Sequence, residues 1–177
     1  MEGFAVWLTG IPSSGKSTIA RRLASKLREA GLDVEVLESD EVRKRLTPRP
    51  TYSEEERDAF YSALTYVGEL LVKHGVNVVF DATAHKRAYR DEARRRIKKF
   101  VEVYVKCPLK EAMRRDVKGL YRKALAGEIT TLPGLQVPFE EPLKPEVEVD
   151  TSKLSLEEAV EAVVRKLREH GYLSTPL

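Results

Sequence analysis

Short apolar runs alternate with amphipathic helical periods along the chain. FAVWLT, Phe4 to Thr9, is continuously apolar, the pattern of a strand buried on both faces. Ile19, Ala20, Leu23, Ala24 and Leu27 then recur at helical spacing, and Gly31 closes that period. DVEVLES, Asp33 to Ser39, predicts a second strand, with Asp40 just beyond its end. From Ser53 a long helix is predicted, carrying Phe60, Ala63, Leu64, Val67, Leu70 and Leu71 on one face and ending near Gly75. VNVVFDA (Val76 to Ala82), FVEVYVK (Phe100 to Lys106) and VEVD (Val147 to Asp150) predict three further strands. SLEE, Ser155 to Glu158, has the S-x-x-E form of a capping box and opens a last helix along Val160, Val163, Val164 and Leu167.

Strands alternating with helices predict an α/β fold, a mostly parallel sheet with helices on both faces. Ligands of such sheets sit beyond the carboxyl ends of the strands, so Asp40, Asp81 and the turn after Thr9 are expected to converge on one cleft. Asp116 to Lys144 is rich in Gly, Pro and charge and has no long apolar period. A stretch of that length predicts a mobile lid, about residues 116–144, within a single domain spanning residues 1–177.

Composition narrows the partners. Charged residues are 33% of the chain, with 31 Lys+Arg against 28 Asp+Glu and a formal net charge of +3. That excess is too small to argue for nucleic acid, and the density of both signs suits an ion-paired, heat-stable surface. Cys107 is the sole cysteine, which excludes an intrachain disulfide and a cysteine-built metal site. MEGFAVWLTG has no basic leader, and no apolar run approaches the ~20 residues of a membrane span, so a soluble cytoplasmic protein is expected.

The segment GIPSSGKST carries the strongest chemistry. Gly10-x-x-x-x-Gly15-Lys16-Ser17 is the P-loop pattern in its required setting, after a strand and before a helix. The loop of Gly10, Ile11, Pro12, Ser13, Ser14, Gly15, Lys16, Ser17 and Thr18 would wrap the phosphates, its backbone N–H groups (Pro12 has none) presenting positive dipole to them. Lys16 would hold the β- and γ-phosphates, and the Ser17 hydroxyl would ligate Mg²⁺. A guanine-reading NKxD is absent, which favours a kinase over a GTP switch. Arg114, Arg115 and Arg122, with Lys118 and Lys123, border the lid segment, where charge neutralisation and exclusion of water serve phosphoryl transfer.

Asp40 and Asp81 both end strands near the phosphates. One suits the metal's shell and the other the base that takes the acceptor's proton; VVFD favours Asp81 for the metal, and an N-cap role for Asp40 is compatible with either. KRAYRDEARRRIKK, Lys86 to Lys99, holds eight Lys/Arg and two acids. An RNA-facing helix is one reading, but with Tyr89 alone for stacking an ion-paired surface is the better one. His74 and His85 lack metal-type spacing and are assigned to no site.

With these residues placed, the chain resembles the adenylylsulfate (APS) kinase family from about Phe4 to Pro142. VWLTGIPSSGKST resembles its P-loop segment, LESDEVRKRL its aspartate–valine–arginine segment, and TYSEEER its next substrate segment. VEVYVKCPLKEAMRRDVKGLYRKALAGEI is the most specific match, through KGLY…AGEI. The resemblance implies a P-loop NTPase-type fold and transfer of the γ-phosphate of ATP, with Mg²⁺, to the 3′-hydroxyl of adenosine 5′-phosphosulfate. It implies Asp40 and Lys16 as catalytic residues, and Ser17, Asp40 and Asp81 as the metal's candidates. It implies substrate contacts from Asp40, Arg43, Tyr52, Arg57, Phe60, Thr83, Ala84, Lys118 and Leu132, an adenine contact from Arg115, and a homodimer.

Several positions depart from the family pattern. Glu38-Ser39-Asp40 stands for DGD. Phe60 stands for an acceptor-contacting asparagine, and it also lies on the helix's apolar stripe. Ala84 stands for a serine, so transfer through a phosphoserine there is impossible. Leu132 stands for a stacking phenylalanine, at a cost of about 1 kcal/mol or more in stacking. The segment FDATAHKRAYR resembles other small-acceptor P-loop kinases, including those acting on RNA ends. A kinase of another nucleotide-like or polynucleotide-end hydroxyl is therefore the second expectation, and a nucleotide-gated binding module without catalysis the third.

Overall fold

The computed structural model describes residues 1–174. In chain order the elements are β1 (Ala5–Thr9), α1 (Lys16–Glu29), β2 (Val34–Glu38), α2 (Ser39–Leu46), α3 (Glu54–Lys73), β3 (Asn77–Asp81), α4 (Arg87–Arg96), β4 (Phe100–Lys106), α5 (Leu109–Arg115), α6 (Leu120–Leu125), β5 (Val147–Asp150) and α7 (Leu156–Glu169). The five strands form one parallel sheet in the order β2-β3-β1-β4-β5. The inner strands β1 and β3 are buried at every position, in keeping with their apolar centres; the edge strand VEVD alternates buried with less buried positions, and VEVLE buries only Val34 and Leu37.

One apolar layer joins α1 and α7 to the sheet through Ile19, Leu23, Leu27, Val160, Val163 and Leu167 against Val6, Leu8 and Val103. The other joins α3 and α4 through Phe60, Leu64, Tyr89 and Ile97 against Trp7 and Phe80. The Ser155 capping box forms as expected, and Ser53 caps α3 by accepting from the Glu56 N–H. Leu70, expected on the buried stripe of α3, is instead 39% exposed, because the packed face runs through Leu64, Gly68 and Val72.

The segment from Asp116 to Lys144 has structure of its own. It holds α6, whose first turn is capped by Asp116, which accepts from the N–H groups of Tyr121 (3.0 Å) and Arg122 (3.1 Å). Tyr121, Ala124 and Leu132 form a small third core with Cys107 and Ala112. The basic stretch around α4 is heavily ion-paired: Arg90 with Glu102 (3.5 Å), Arg94 with Glu146 and Glu102, Arg96 with Glu69 and Glu92 (3.2 Å each), Lys86 with Glu54. Among the described residues no helix is long and apolar enough to cross a membrane.

Gly68 lets α3 approach the sheet: a Cβ there would lie 2.2 Å from the Phe80 ring, which stacks on Trp7 at 4.4 Å and has no room to yield. Gly68→Ala should therefore destabilise the fold by about 1–3 kcal/mol, despite alanine's better helix propensity. Equilibrium denaturation checks this; a stabilised variant would show that α3 is not held against Phe80.

Candidate active site

The turn after β1 is built by close approach. A Cβ on Gly10 would sit 2.3 Å from the Val105 carbonyl oxygen, and Gly15 has a φ of 105° where it caps α1. The loop is pinned from behind by residues far along the chain. The Thr151 hydroxyl donates to the Ser14 carbonyl (2.6 Å), while Arg115 donates to the hydroxyl and the carbonyl of Thr151 (3.0 Å each). From the segment 116–144, the Tyr121 hydroxyl donates to the Pro12 carbonyl (2.8 Å), and the Val117 N–H to Ser13 Oγ (3.1 Å). The N–H groups at the start of α1 thus face a concavity with the helix dipole behind them.

Lys16 is buried and donates from Nζ to the carbonyls of Gly10 (2.8 Å) and Ile11 (2.9 Å). Burial brings its pKa down to about 8, against the opposing pull of Asp81. The Ser17 hydroxyl donates to Asp81 Oδ2 at 2.7 Å, tying the P-loop to the end of β3. Among the described residues no group of three or more His, Cys, Asp or Glu is placed to hold a metal ion by itself.

A hollow of about 240 Å³ runs along Pro12 to Thr18 and past Glu38, Asp40, Asp81 and Lys118. It opens into a second of about 410 Å³, and Pro12, Ser39, Asp40, Thr83, Lys118 and Leu120 line both. Asp40 lies in the first turn of α2 and forms an ion pair with Lys118, whose Nζ is also 3.8 Å from Glu38. Burial and then the Asp81 charge raise the Glu38 carboxyl above its ordinary pKa. The larger hollow is cationic and aromatic. Arg43, 8% exposed, lays its guanidinium 3.9 Å from the Phe60 ring centre and 5.1 Å from that of Tyr52, and its buried Nη1 has no hydrogen-bond partner. Arg57, equally buried, donates to the Thr131 carbonyl at 2.9 Å, and Leu132 supplies an apolar wall.

The P-loop residues Pro12 to Thr18, with Asp40, Arg43, Tyr52, Arg57, Asp81, Thr83, Lys118 and Leu132, are therefore drawn into one continuous cleft; Gly10 and Ile11 do not line it. Phe60 and Ala84 are not: both are fully buried and line neither hollow. Phe60 acts as the platform under Arg43, and the Ala84 N–H donates to the Tyr61 hydroxyl at 3.0 Å. The N-cap reading of Asp40 also fails, since Glu38 holds the cap position and makes no side-chain cap bond. Arg115 braces the P-loop from outside, and Ile11 faces a separate hollow beside Tyr104 and Phe139.

Sequence reasoning missed Glu38, Tyr61, His85 and Thr151. Tyr61 and His85 line the larger hollow, and Thr151 reaches the loop from beyond β5. Backbone conformation supplies an independent mark of the site. Among the described residues four non-glycines have positive φ, and Ser13, Tyr52, Ala84 and Asp116 all belong to segments that border the cleft.

Comparison with known proteins points the same way. The family model described as adenylylsulphate kinase matches residues 2–150. A probable adenylyl-sulfate kinase of Pyrococcus abyssi is 44% identical over 173 residues, covering 98% of this chain and 99% of the relative. An adenylyl-sulfate kinase of Rippkaea orientalis is 46% identical over 99% of this chain and 97% of its own. The structure of the Mycobacterium tuberculosis APS kinase CysC in complex with AMPPNP and APS superposes with a TM-score of 0.90 at 34% identity, covering 94% of this chain and 98% of that one.

The buried Lys16 gives a pH signature. Its charged form, needed to meet phosphate, prevails below its pKa of about 8 and is lost above it. The kcat/KM for the phosphate donor should accordingly fall about tenfold per pH unit well above pH 8. A profile level to about pH 10 would show that the Lys16 charge is not required.

Proposed function

This chain belongs to the adenylylsulphate kinase family, and we propose that it transfers the γ-phosphate of ATP to the 3′-hydroxyl of adenosine 5′-phosphosulfate, giving ADP and 3′-phosphoadenosine 5′-phosphosulfate. One observation within the chain carries the acceptor assignment. A nearly buried arginine with an unpartnered Nη1, beside Arg57 and Lys118, lines a hollow continuous with the P-loop. A buried, unpaired donor is expensive unless a ligand completes it, and an acceptor bearing phosphate and sulfate charges does so.

In this reading the P-loop N–H groups and Lys16 hold the β- and γ-phosphates. Arg43 and Arg57 hold the charged end of the acceptor, with Tyr52 and Leu132 along its flat part. Asp40 takes the proton of the 3′-hydroxyl as that oxygen bonds to the γ-phosphorus and the β–γ bridging oxygen leaves with ADP. Lys118 exchanges Asp40 for the transferring group, and the segment 116–144 is the lid that carries it. Ala84 has no hydroxyl, so transfer is direct.

The donor set suits Mg²⁺. The Ser17 hydroxyl and the Asp81 carboxylate are hard oxygens already hydrogen-bonded to each other, and phosphate and water would complete the shell. The metal would neutralise charge on the phosphates. Asp40 is free for the base role because Asp81 alone reaches Ser17. A homodimer and a cytoplasmic setting belong to the proposal on the strength of the resemblance alone.

Labelled γ-phosphate tests the assignment: label should pass from ATP to APS far faster than to adenosine 5′-monophosphate or a 5′-hydroxyl RNA oligomer. Preference for either rival would overturn the acceptor. Asp40→Asn should lower kcat by about 10²–10⁴ while leaving ATP affinity within about twofold. Equal loss of both would remove Asp40 from the role of base.

A further inference from the structure

His85 is a polar side chain of the acceptor hollow that no role above uses. His85 is 7% exposed and lines the larger hollow but not the P-loop hollow. Its ring lies at the edge of the larger hollow, packed edge-on against Tyr89, with the Arg57 guanidinium among the charges nearest to it. We propose that His85 is a specificity-determining residue of the acceptor site, donating a ring N–H to an anionic oxygen of the acceptor beside Arg57. The inference rests on the acceptor reading given above.

The position of the ring is imposed by its neighbours. Ala84 is held at a φ of 45°, a left-handed turn that a side-chain-bearing residue adopts only under restraint. The restraint is visible on both sides: the Ala84 N–H donates to the Tyr61 hydroxyl (3.0 Å), and the His85 carbonyl accepts from the Glu140 N–H (2.8 Å). The imidazole then packs edge-on against Tyr89, with ring centres 5.6 Å apart, and Tyr89 is itself stacked on Tyr61 at 4.4 Å. Tyr89 is fixed in turn by its hydroxyl, which donates to Asp58 Oδ1 at 2.6 Å.

The charges nearest the ring are Arg57 and Glu54 from α3, Lys86 from its own segment, and Glu140 from the irregular stretch before β5. Burial, then Arg57 and Lys86, bring its pKa down to about 4, so at pH 7 it is a neutral donor among fixed cations. Arginine and lysine reward any negative charge. A neutral N–H rewards only an oxygen placed in line with it, which selects among anionic acceptors by geometry. Because His85 stands away from the P-loop hollow, its bond belongs to binding and not to the transfer step.

Steady-state kinetics with ATP and APS tests this. His85→Ala should raise KM for APS about three- to tenfold, the worth of one neutral hydrogen bond, with kcat and KM for ATP within about twofold. His85→Gln or His85→Asn, which keep an N–H at one or the other ring-nitrogen position, should restore most of the loss. In the wild-type protein, which has three histidines, the His85 ring ¹⁵N resonances should shift on adding APS and not on adding a non-hydrolysable ATP analogue. An unchanged KM for APS, a rise shared equally by ATP, no rescue by either amide, or unmoved ring resonances would each overturn the inference. Should wild-type protein fail to phosphorylate APS, the acceptor reading falls and this inference with it; normal turnover with an unmoved KM defeats the inference alone.

Discussion

Parallel pairing of β1 with β3 on one side and β4 on the other is the constraint from which the site follows. The register sets Leu8 opposite Asp81 and Thr9 opposite Tyr104, so the strands finish at one edge. With β1 closing at Thr9, the chain must turn where β3 presents its carboxylate and β4 its last carbonyls. Gly10 can make that turn against Val105 only because it lacks a Cβ. Ser17 then meets Asp81 across the start of α1. Every later piece of the cleft, from the first turn of α2 to Thr83, is arranged around this edge.

The larger hollow is assembled differently, from side chains stacked in depth. Phe60 lies under Arg43, Tyr52 beside it, and the Tyr61–Tyr89 stack supports the turn at Ala84. Cations that bind charged ligands repel one another when no ligand is present. Aromatic faces hold guanidinium groups without neutralising them, which leaves their charge available. The same economy is absent from α4, where arginines are matched by Glu69, Glu92, Glu102 and Glu146. Arg90, Arg94 and Arg96 are thus engaged within the protein, in contrast to Arg43.

The elements were legible in the sequence wherever one period dominated. The buried strands, the P-loop and the capping box at Ser155 follow from short-range pattern, and Asp40 and Asp81 follow from where strands end. Leu70 and Phe60 show the limit of that reading. A 3.6-residue period identifies a stripe but not which neighbour occupies each height of it: Leu70 falls at the stripe's margin, and Phe60 is core and platform together. Ala84 is assigned by likeness to the acceptor site, yet its side chain is turned inward by the conformation of its own backbone. His85 and Thr151 escape for another reason. A lone histidine has no spacing signal, and Thr151 lies 137 residues from the Ser14 carbonyl it fixes, a separation that only the folded sheet closes.

The ion pair between Lys118 and Asp40 ties the first turn of α2 to the segment that follows α5, 78 residues further along the chain. Both side chains are 49% exposed, so water and salt screen the attraction between them. Of the contacts that hold the cleft's walls together, the one joining α2 to this segment is therefore the most easily given up, whereas the part-buried bond between Ser17 and Asp81 stays shut.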